Sequence, residues 1–170
     1  MASQSATSST RAPARNELLL DAAIAVVVFA AALGLLAVGE SDAGGEIDAL
    51  EVLAAAAASL PLVARRFAPL AVFVVTALGS AALYAIAEPA GPPIGPTLAV
   101  YWLAASGDGS RARTRLTLAV VAGLLAVHLV AGGILGAEIL FGFLVWGGAW
   151  LAGDRSRLRH ERMAELEERA

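Results

Sequence analysis

Long runs of apolar residues, separated by short polar or Gly/Pro-rich segments, form the dominant pattern of this 170-residue chain. A helix needs about 20 mostly apolar residues to cross the hydrocarbon core of a bilayer. Six runs approach that length, and we predict one membrane-spanning helix from each. They cover residues 18–38, 47–64, 69–87, 93–106, 116–133 and 137–152. The pattern predicts an all-α fold, a polytopic transmembrane helical bundle with about six spans.

Two boundaries between the predicted spans depend on glycine and proline. Residues 89–96 read Pro-Ala-Gly-Pro-Pro-Ile-Gly-Pro, which cannot continue a helix because proline lacks the N–H group and clashes with the preceding turn. The fourth span is therefore short, and it crosses only if part of this stretch lies at membrane depth. The apolar run over 116–152 is long enough for two crossings. Its break is predicted near Gly132, Gly133, Gly136 and Glu138.

The arginines group at alternate boundaries of the predicted spans. All twelve basic residues are Arg, and cytoplasmic loops of membrane proteins collect basic residues. Six spans with both termini in the cytoplasm place every Arg on that side, and the loops at 39–46, 88–96 and 136–138 contain none. The arginines that we assign to the cytoplasmic face beside the spans are Arg65, Arg66, Arg111, Arg113, Arg115, Arg155, Arg157 and Arg159.

The composition agrees with a membrane protein and excludes other classes. Hydrophobic residues make up 58% of the chain and charged residues only 16%, whereas a soluble domain carries roughly a quarter of its residues as charges. An ordinary soluble enzyme and a disordered chain are both excluded. The absence of cysteine removes disulfides, thiolate nucleophiles and cysteine-based metal sites. Arg as the only basic residue, with abundant Ala and Gly, indicates a GC-rich bacterial genome, and we expect a multi-pass protein of the bacterial cytoplasmic membrane.

Few residues in the predicted spans could carry chemistry. His128 is the one histidine in a span, and a single His cannot supply both axial ligands of a bis-His haem. We interpret it as a packed, neutral side chain. Ser80 and His128 together could form an intramembrane protease dyad, but Ser in a membrane helix more often bonds its own backbone or a neighbouring helix. We therefore assign no catalytic, cofactor-binding or metal-binding residue to this chain.

Acidic residues gather in the segments predicted to lie on the outer face. They could attract cations or a cationic peptide, but we favour the interpretation that they only follow the topology. These acids are Glu40, Asp42, Glu46, Asp48, Glu51, Glu88 and Glu138. Gly132 and Gly136 form a GxxxG pattern, which permits close helix packing or else only marks the turn.

The end of the chain differs from the rest. Apolar content falls after Gly153, while helix-forming residues continue to the C-terminus. Glu165 and Arg169 are four residues apart, which supports an exposed helix, and Met163 and Leu166 have the spacing that begins a coiled-coil seam. The residues assigned to this exit helix are Trp150, Gly153, Asp154, Met163 and Leu166. The chain thus divides into a disordered cytoplasmic tail (1–16), a transmembrane domain (17–153) and the start of a cytoplasmic linker helix (154–170).

Three stretches resemble the N-terminal membrane-sensing region of bacterial two-component sensor histidine kinases, in the class that pairs with NarL/LuxR-type response regulators. Residues 60–70 (Leu-Pro-Leu-Val-Ala-Arg-Arg-Phe-Ala-Pro-Leu) resemble that family's Pro, double-Arg, Pro turn between its second and third spans. Residues 98–105 (Leu-Ala-Val-Tyr-Trp-Leu-Ala-Ala) resemble its short Tyr-containing fourth segment. Residues 149–170 resemble the exit into its cytoplasmic linker.

The resemblance implies a homodimeric receptor whose membrane part controls a cytoplasmic kinase. In that family the kinase uses ATP and Mg²⁺ to phosphorylate a His, and the phosphate then passes to an Asp of the response regulator. The kinase and its phosphorylated His follow the linker in that family. We therefore expect that this chain alone is not an enzyme, needs no cofactor and binds no nucleic acid, and that it meets a response regulator only through the kinase part. His160-Glu161 resembles a phosphoacceptor motif, but we interpret His160 as a solvated linker residue.

An alternative function stays open on the sequence alone. A small stand-alone transporter-like or lipid-interacting membrane protein would also be apolar and multi-pass. Transporters often have broken helices around polar groups at the middle of the membrane. The Gly/Pro stretch before the short fourth span is the feature that favours this alternative.

Overall fold

A computed structural model describes residues 15–43, 46–87, 91–107, 110–131 and 137–169. Every regular element among the described residues is a helix, which confirms the all-α prediction. The helices are α1 (Arg15–Ala43), α2 (Ala49–Ser59), a 3₁₀ helix (Leu60–Ala64), α3 (Pro69–Ile86), α4 (Ile94–Ala105), α5 (Arg111–Ala131) and α6 (Ala137–Arg169). Residues 15 and 16, which we predicted to be disordered, begin α1 instead, and the rest of the predicted tail lies outside the described residues. Of the residues predicted at the break between the last two spans, Glu138 belongs to α6, and the three glycines lie outside the described residues.

The helix ends follow from local sequence. Asp48 caps α2: its Oδ1 accepts a hydrogen bond from the Glu51 backbone N–H at 2.8 Å, and the Glu51 carboxylate accepts one from the Asp48 N–H at 2.9 Å. This reciprocal capping box satisfies two backbone donors. Pro69 occupies the first turn of α3, where its missing N–H costs nothing. Two of the acids that we had interpreted only as a topology signal therefore have a structural role as a helix cap.

Successive helices run in opposite directions, so that the bundle has two ends. One end, here called the arginine end, contains the start of α1 and the turn after the 3₁₀ helix, which are joined by contacts between Asp21 and Arg65. The other end contains the end of α1, where Leu35 lies beside Gly91 just before α4. The C-terminal part of α4 and the middle of α6 return to the arginine end, where Ala105 and Ser156 line one cavity with Arg65.

Two apolar clusters hold the helices together. The larger one joins α1, α3, α4, α5 and α6 around Phe73, Val100 and Trp146. The rings of Phe73 and Trp146 meet edge to face, with centroids 5.6 Å apart. The smaller cluster joins α1, α2 and α3 around Leu36 and Leu83. These clusters fix which side of each helix faces inward.

Small residues allow the backbones of three helices to approach closely. A Cβ atom on Gly79 of α3 would lie 2.6 Å from the backbone nitrogen of Ala58 in α2. A Cβ atom on Gly95 of α4 would overlap the carbonyl oxygen of the same Ala58. Membrane helices use small residues at such contacts because packing, rather than the hydrophobic effect, drives their association. The α2, α3 and α4 helices therefore meet backbone to backbone at Ala58.

The outer surface of the bundle is strongly apolar. Leu53, Val130 and Leu144 are among the large side chains that it exposes. Within the described residues, three helices are long and apolar enough to cross a membrane: Arg15–Ser41, Pro69–Ile86 and Thr114–Ala131. The helices Ala49–Ala64 and Ile94–Ala105 are apolar but shorter. At about 1.5 Å per residue, the 12 residues of α4 reach only part of the way across a hydrocarbon core.

Candidate functional site

A buried ion pair lies at the arginine end. Asp21, in the second turn of α1, is fully buried. Its Oδ1 accepts a hydrogen bond from Arg65 Nη2 at 2.5 Å, and its Oδ2 accepts one from Arg66 Nε at 2.5 Å. Glu17, one turn earlier on the exposed side, pairs with Arg66 Nη1 at 3.2 Å. Both carboxylate oxygens of Asp21 are thus bound by guanidinium groups.

The turn between α2 and α3 places both arginines beside α1. Pro61 lies in the first turn of the 3₁₀ helix, and the next residues close tight turns in which the Arg65 N–H bonds the Leu62 carbonyl at 3.2 Å. Adjacent arginines in this turn reach the same carboxylate. The hydrogen bond that Arg66 donates to Asp21 raises the pKa of Arg66 above its ordinary value, with desolvation acting in the opposite direction. Arg66 therefore stays charged at every physiological pH.

Arg65 also connects this ion pair to α4. Its guanidinium carbon lies 4.0 Å from the centroid of the Trp102 ring, a cation–π contact. Arg65 is buried, and its Nε and Nη1 atoms have no hydrogen-bond partner among the described residues. One guanidinium group thereby touches a carboxylate on α1 and an aromatic ring on α4. We call the set of Asp21, Arg65, Arg66 and Trp102 the arginine cluster.

A cavity of about 350 Å³ extends from the arginine cluster to α6. Ser156 and His160 of α6 line it together with Arg65 and Trp102. His160 is exposed, and its Nδ1 lies 2.7 Å from the Ser156 carbonyl oxygen, as expected for a solvated residue of an outgoing helix. The arginine cluster and the exit helix therefore border the same space.

The helix α6 crosses α4 at Gly153. A Cβ atom here would overlap the Tyr101 carbonyl oxygen and would lie 2.9 Å from the Ala104 Cβ and 3.1 Å from the Ala105 nitrogen. The two backbones are therefore in direct contact at the point where α6 leaves the bundle. Tyr101 and Trp102 are neighbours, so the α4 segment under Gly153 is the segment that carries the stacked Trp102.

The side of α6 that faces α5 is less restricted. A cavity of about 510 Å³ lies between the start of α3, the end of α4, the start of α5 and the exit segment of α6. Trp150, Asp154 and Arg157 of α6 line it. The exit segment of α6 is thus in contact with α4 on one side, and on the other side it borders a cavity between the described residues.

Beyond Gly153, ion pairs stiffen α6. Arg157 pairs with Asp154 at 2.6 Å and with Glu161 at 2.9 Å, one turn away on either side. The hydrogen bond with Asp154 raises the pKa of Arg157, with a smaller opposing effect of desolvation. Such pairs three and four residues apart support an exposed helix. Met163 and Leu166 are exposed on the part of α6 that extends past the bundle.

The structure brings together some of the residues that the sequence singled out. The arginine cluster contains Arg65 and Arg66. The contact between α4 and α6 is made at Gly153, and the paired residues Asp154 and Arg157 follow it on α6. The remaining arginines with described side chains are exposed: Arg115, Arg155 and Arg159. Arg111 and Arg113 belong to the first turn of α5, but their side chains lie outside the described residues. Asp21 and Trp102 were not predicted as site residues, although an acid in an apolar span signals a need for a partner.

The two residues considered for intramembrane chemistry, Ser80 and His128, are both buried in the helical bundle. His128 is buried between Tyr84 and Trp146, with ring centroids 4.6 Å and 5.9 Å away. Ser80 is buried in α3 and lines a small cavity with Ser59. Within the described part of the chain, no group of three or more His, Cys, Asp or Glu residues could hold a metal ion.

The fold and this site define a class: a helical membrane protein whose last helix continues from the bundle into an exposed, charged segment. Residues 10–160 match a known family described as a domain of unknown function, DUF7134. The match covers most of the chain, and the chain belongs to this family. No curated protein and no solved structure matches it.

Proposed function

We propose that this chain is the membrane sensor and anchor domain of a sensor histidine kinase of a two-component system. In this proposal it passes a membrane-level stimulus to a cytoplasmic kinase that follows residue 170. The resemblance of residues 60–70, 98–105 and 149–170 to such kinases supports the proposal. The three stretches also contact one another, which supports the proposal further. Arg65 of the first stretch lies against Trp102 of the second. Gly153 of the third stretch packs against the backbone of the second.

One observation carries the proposal: α6 is a single helix of 33 residues. At about 1.5 Å per residue its length is roughly 50 Å. Its first half packs against the bundle through Trp146 and Gly153, and its last turns are exposed. A rigid helix that begins in a membrane bundle and ends outside it suits the transmission of a movement.

The proposed topology has six membrane passes, with both termini in the cytoplasm of a bacterium and the arginine end at the inner membrane face. The alternating helix directions and the position of the arginine cluster support it. The short α4 crosses as the fourth pass together with the segment at 91–93 before it. The partners in this proposal are the lipid bilayer and a second copy of the chain, with the response regulator reached through the kinase.

The proposed mechanism uses the contact between α4 and α6. Repacking of the spans moves α4 through Arg65 and Trp102, and the backbone contact at Gly153 passes that movement to α6. The cavity on the α5 side gives the exit segment room to shift. A small shift in the angle or register of α6 biases a bistable coiled-coil junction, a known device in switching proteins.

Sequencing the gene past the codon for Ala170, with an immunoblot of the native product, tests the kinase part directly. We expect the reading frame to continue into a longer helix, a phosphoacceptor His and an ATP-binding domain. The native band should then be far heavier than 17.2 kDa. A stop codon directly after Ala170 with a native band at that mass would refute the proposed kinase, because no phosphotransfer could then occur in this polypeptide.

Dimer formation through the exit helix is a separate prediction. The chain has no cysteine, so that single introduced cysteines report contacts without background. We expect Met163→Cys and Leu166→Cys to form disulfide-linked dimers in membranes several-fold faster than Glu168→Cys. The first two positions lie on the proposed seam, whereas Glu168 lies on the opposite face of the heptad. Equal rates at all three positions would contradict a coiled-coil seam in this helix.

A further inference from the structure

The cavity of about 510 Å³ beside the exit segment of α6 lies at the arginine end, because Ser106 lines both this cavity and the one that extends from the arginine cluster. Ligand sites in proteins measure about 300–1,000 Å³, so this cavity has the size of a binding site. Leu70 of α3 and Leu116 of α5 line it, and both are also exposed on the apolar outer surface. The cavity therefore opens sideways, toward the lipid that surrounds a membrane bundle.

The lining of this cavity divides into an apolar and a polar part. Leu103 of α4 and Trp150 of α6 contribute to the apolar part. Asp154 and Arg157 follow Trp150 on α6 and are the only charged side chains among the described residues of the lining. Tryptophan is enriched at the headgroup level of membranes, and Trp150 lies between the two parts. A ligand that fills the cavity must therefore be amphipathic, with its polar group toward the exposed end of α6.

Two polar atoms at this end of the cavity are available to a ligand. The side chains of Asp154 and Arg157 are 38% and 18% exposed. Asp154 Oδ1 accepts from Arg157 Nη2, and Arg157 Nη1 donates to Glu161. Asp154 Oδ2 and Arg157 Nε make no hydrogen bond within the described residues, and both are accessible, unlike the buried Nε of Arg65. The cavity thus offers one acceptor of negative charge and one donor of positive charge.

We propose that this cavity binds phosphatidylethanolamine. The ammonium group of the lipid donates to Asp154 Oδ2, its phosphate accepts from Arg157 Nε, and its acyl chains leave past Leu70 and Leu116 into the bilayer. Residues three apart on a helix have Cβ atoms about 5–6 Å apart, a span that the two-carbon bridge between phosphate and nitrogen covers.

Charge complementarity selects this headgroup. Phosphatidylethanolamine carries one charge of each sign, as the lining does, whereas an anionic headgroup would bring a second negative charge beside Asp154. Binding requires only the helical bundle, and the kinase function proposed above can fail without affecting it.

Native mass spectrometry of the full chain tests this proposal. The protein in detergent is mixed with equal amounts of dioleoyl phosphatidylethanolamine, phosphatidylcholine and phosphatidylglycerol, whose masses differ while their acyl chains are identical. Phosphatidylcholine carries the same two charges, but its trimethylammonium group has no N–H to donate to Asp154. We expect phosphatidylethanolamine to be retained about threefold to tenfold more than either of the others. Equal retention of phosphatidylethanolamine and phosphatidylcholine, or a preference for phosphatidylglycerol, would overturn the proposal.

The soluble headgroup separates a lipid from a small zwitterion as the ligand. Glycerophosphoethanolamine has the same phosphate and ammonium groups without acyl chains. We expect a large excess of it to leave the bound phosphatidylethanolamine in place, because the apolar part of the cavity binds only the lipid. Full displacement would make the ligand a soluble zwitterion and would contradict a lipid site.

Variants locate the headgroup. Asp154→Asn removes the negative charge and should abolish the preference for phosphatidylethanolamine over phosphatidylcholine. Glu161→Gln is the matched control, because Glu161 pairs with the same Arg157 but does not line the cavity. Exposed ion pairs contribute little to stability, so both variants should fold, which circular dichroism and monodisperse elution verify. An unchanged preference in folded Asp154→Asn, or an equal loss in Glu161→Gln, would place the lipid elsewhere and overturn the proposal.

Discussion

Replacing Asp21 by Asn lowers the free energy of unfolding of this protein by about 3–5 kcal/mol, the usual cost of removing one partner of a buried ion pair. The amide retains the shape of the carboxylate but not its charge. Arg65 is then left buried without a counter-charge. Unfolding in mixed micelles with increasing dodecyl sulfate, followed by circular dichroism, measures the change.

The size of this effect comes from the remaining charge rather than from a large net contribution of the pair. Two ions taken out of water lose solvation that their attraction only partly returns. The double variant Asp21→Leu with Arg65→Met removes both charges while filling the space. We expect it to be more stable than Asp21→Asn, since no uncompensated buried charge remains.

The neighbouring pair of Glu17 and Arg66 is the control. Both side chains are substantially exposed, at 48% and 38%. Exposed ion pairs contribute about 0–1 kcal/mol, so Glu17→Gln should leave unfolding almost unchanged. Equal small losses for Glu17→Gln and Asp21→Asn would mean that water reaches Asp21, and the arginine cluster would then not be a buried junction.

The positions of the helices could be predicted because a long apolar run carries its own signal. The third predicted span, residues 69–87, agrees with α3 (Pro69–Ile86) to within one residue. The fifth began at residue 116, whereas α5 begins at Arg111. Hydropathy marks only the apolar part of a helix. Arginine is a good helix former, so the helix itself can extend beyond its apolar part. The same reason explains why the sixth apolar run and the charged linker form one helix.

The arrangement of the site could not be predicted, because pairing between distant residues leaves no pattern in one sequence. Asp21 and Arg65 are 44 positions apart. An acid in an apolar span needs a partner, but any of the twelve arginines of the chain could supply it. Only the tight turn after the 3₁₀ helix selects Arg65 and Arg66. The role of Gly153 depends likewise on the angle at which α6 crosses α4, which the sequence of either helix does not specify.

Replacing Gly153 by Ala is the second change from which we expect a large effect. The added methyl group would overlap the Tyr101 carbonyl oxygen and press on Ala104. Backbone atoms cannot move aside as a flexible side chain does, so that α6 and α4 must separate. We expect the free energy of unfolding to fall by about 1–3 kcal/mol, the usual cost of overpacking. The dodecyl sulfate titration that serves for Asp21 measures it.

The Gly148→Ala variant controls for the intrinsic preference of alanine for helices. Gly148 lies on the same helix, and nothing lies within 4 Å of a Cβ atom there. Both substitutions gain the same helix propensity, so the difference between them reports the contact with α4. Gly148→Ala should leave the stability unchanged within about 0.5 kcal/mol or increase it.

A distance measurement connects Gly153 to the proposed transmission. Spin labels on cysteines introduced at Ser106 and Leu158, both exposed, report the separation of α4 from the outgoing part of α6. A methyl group needs about 3.5–4.0 Å from its nearest heavy atoms, so we expect Gly153→Ala to lengthen this distance while Gly148→Ala does not. If the distance and the stability both stay at their original values, α6 is not held against α4. A movement of α4 could then not reach the exit helix by this contact, and the mechanism that we propose would be wrong even for a chain that belongs to a kinase.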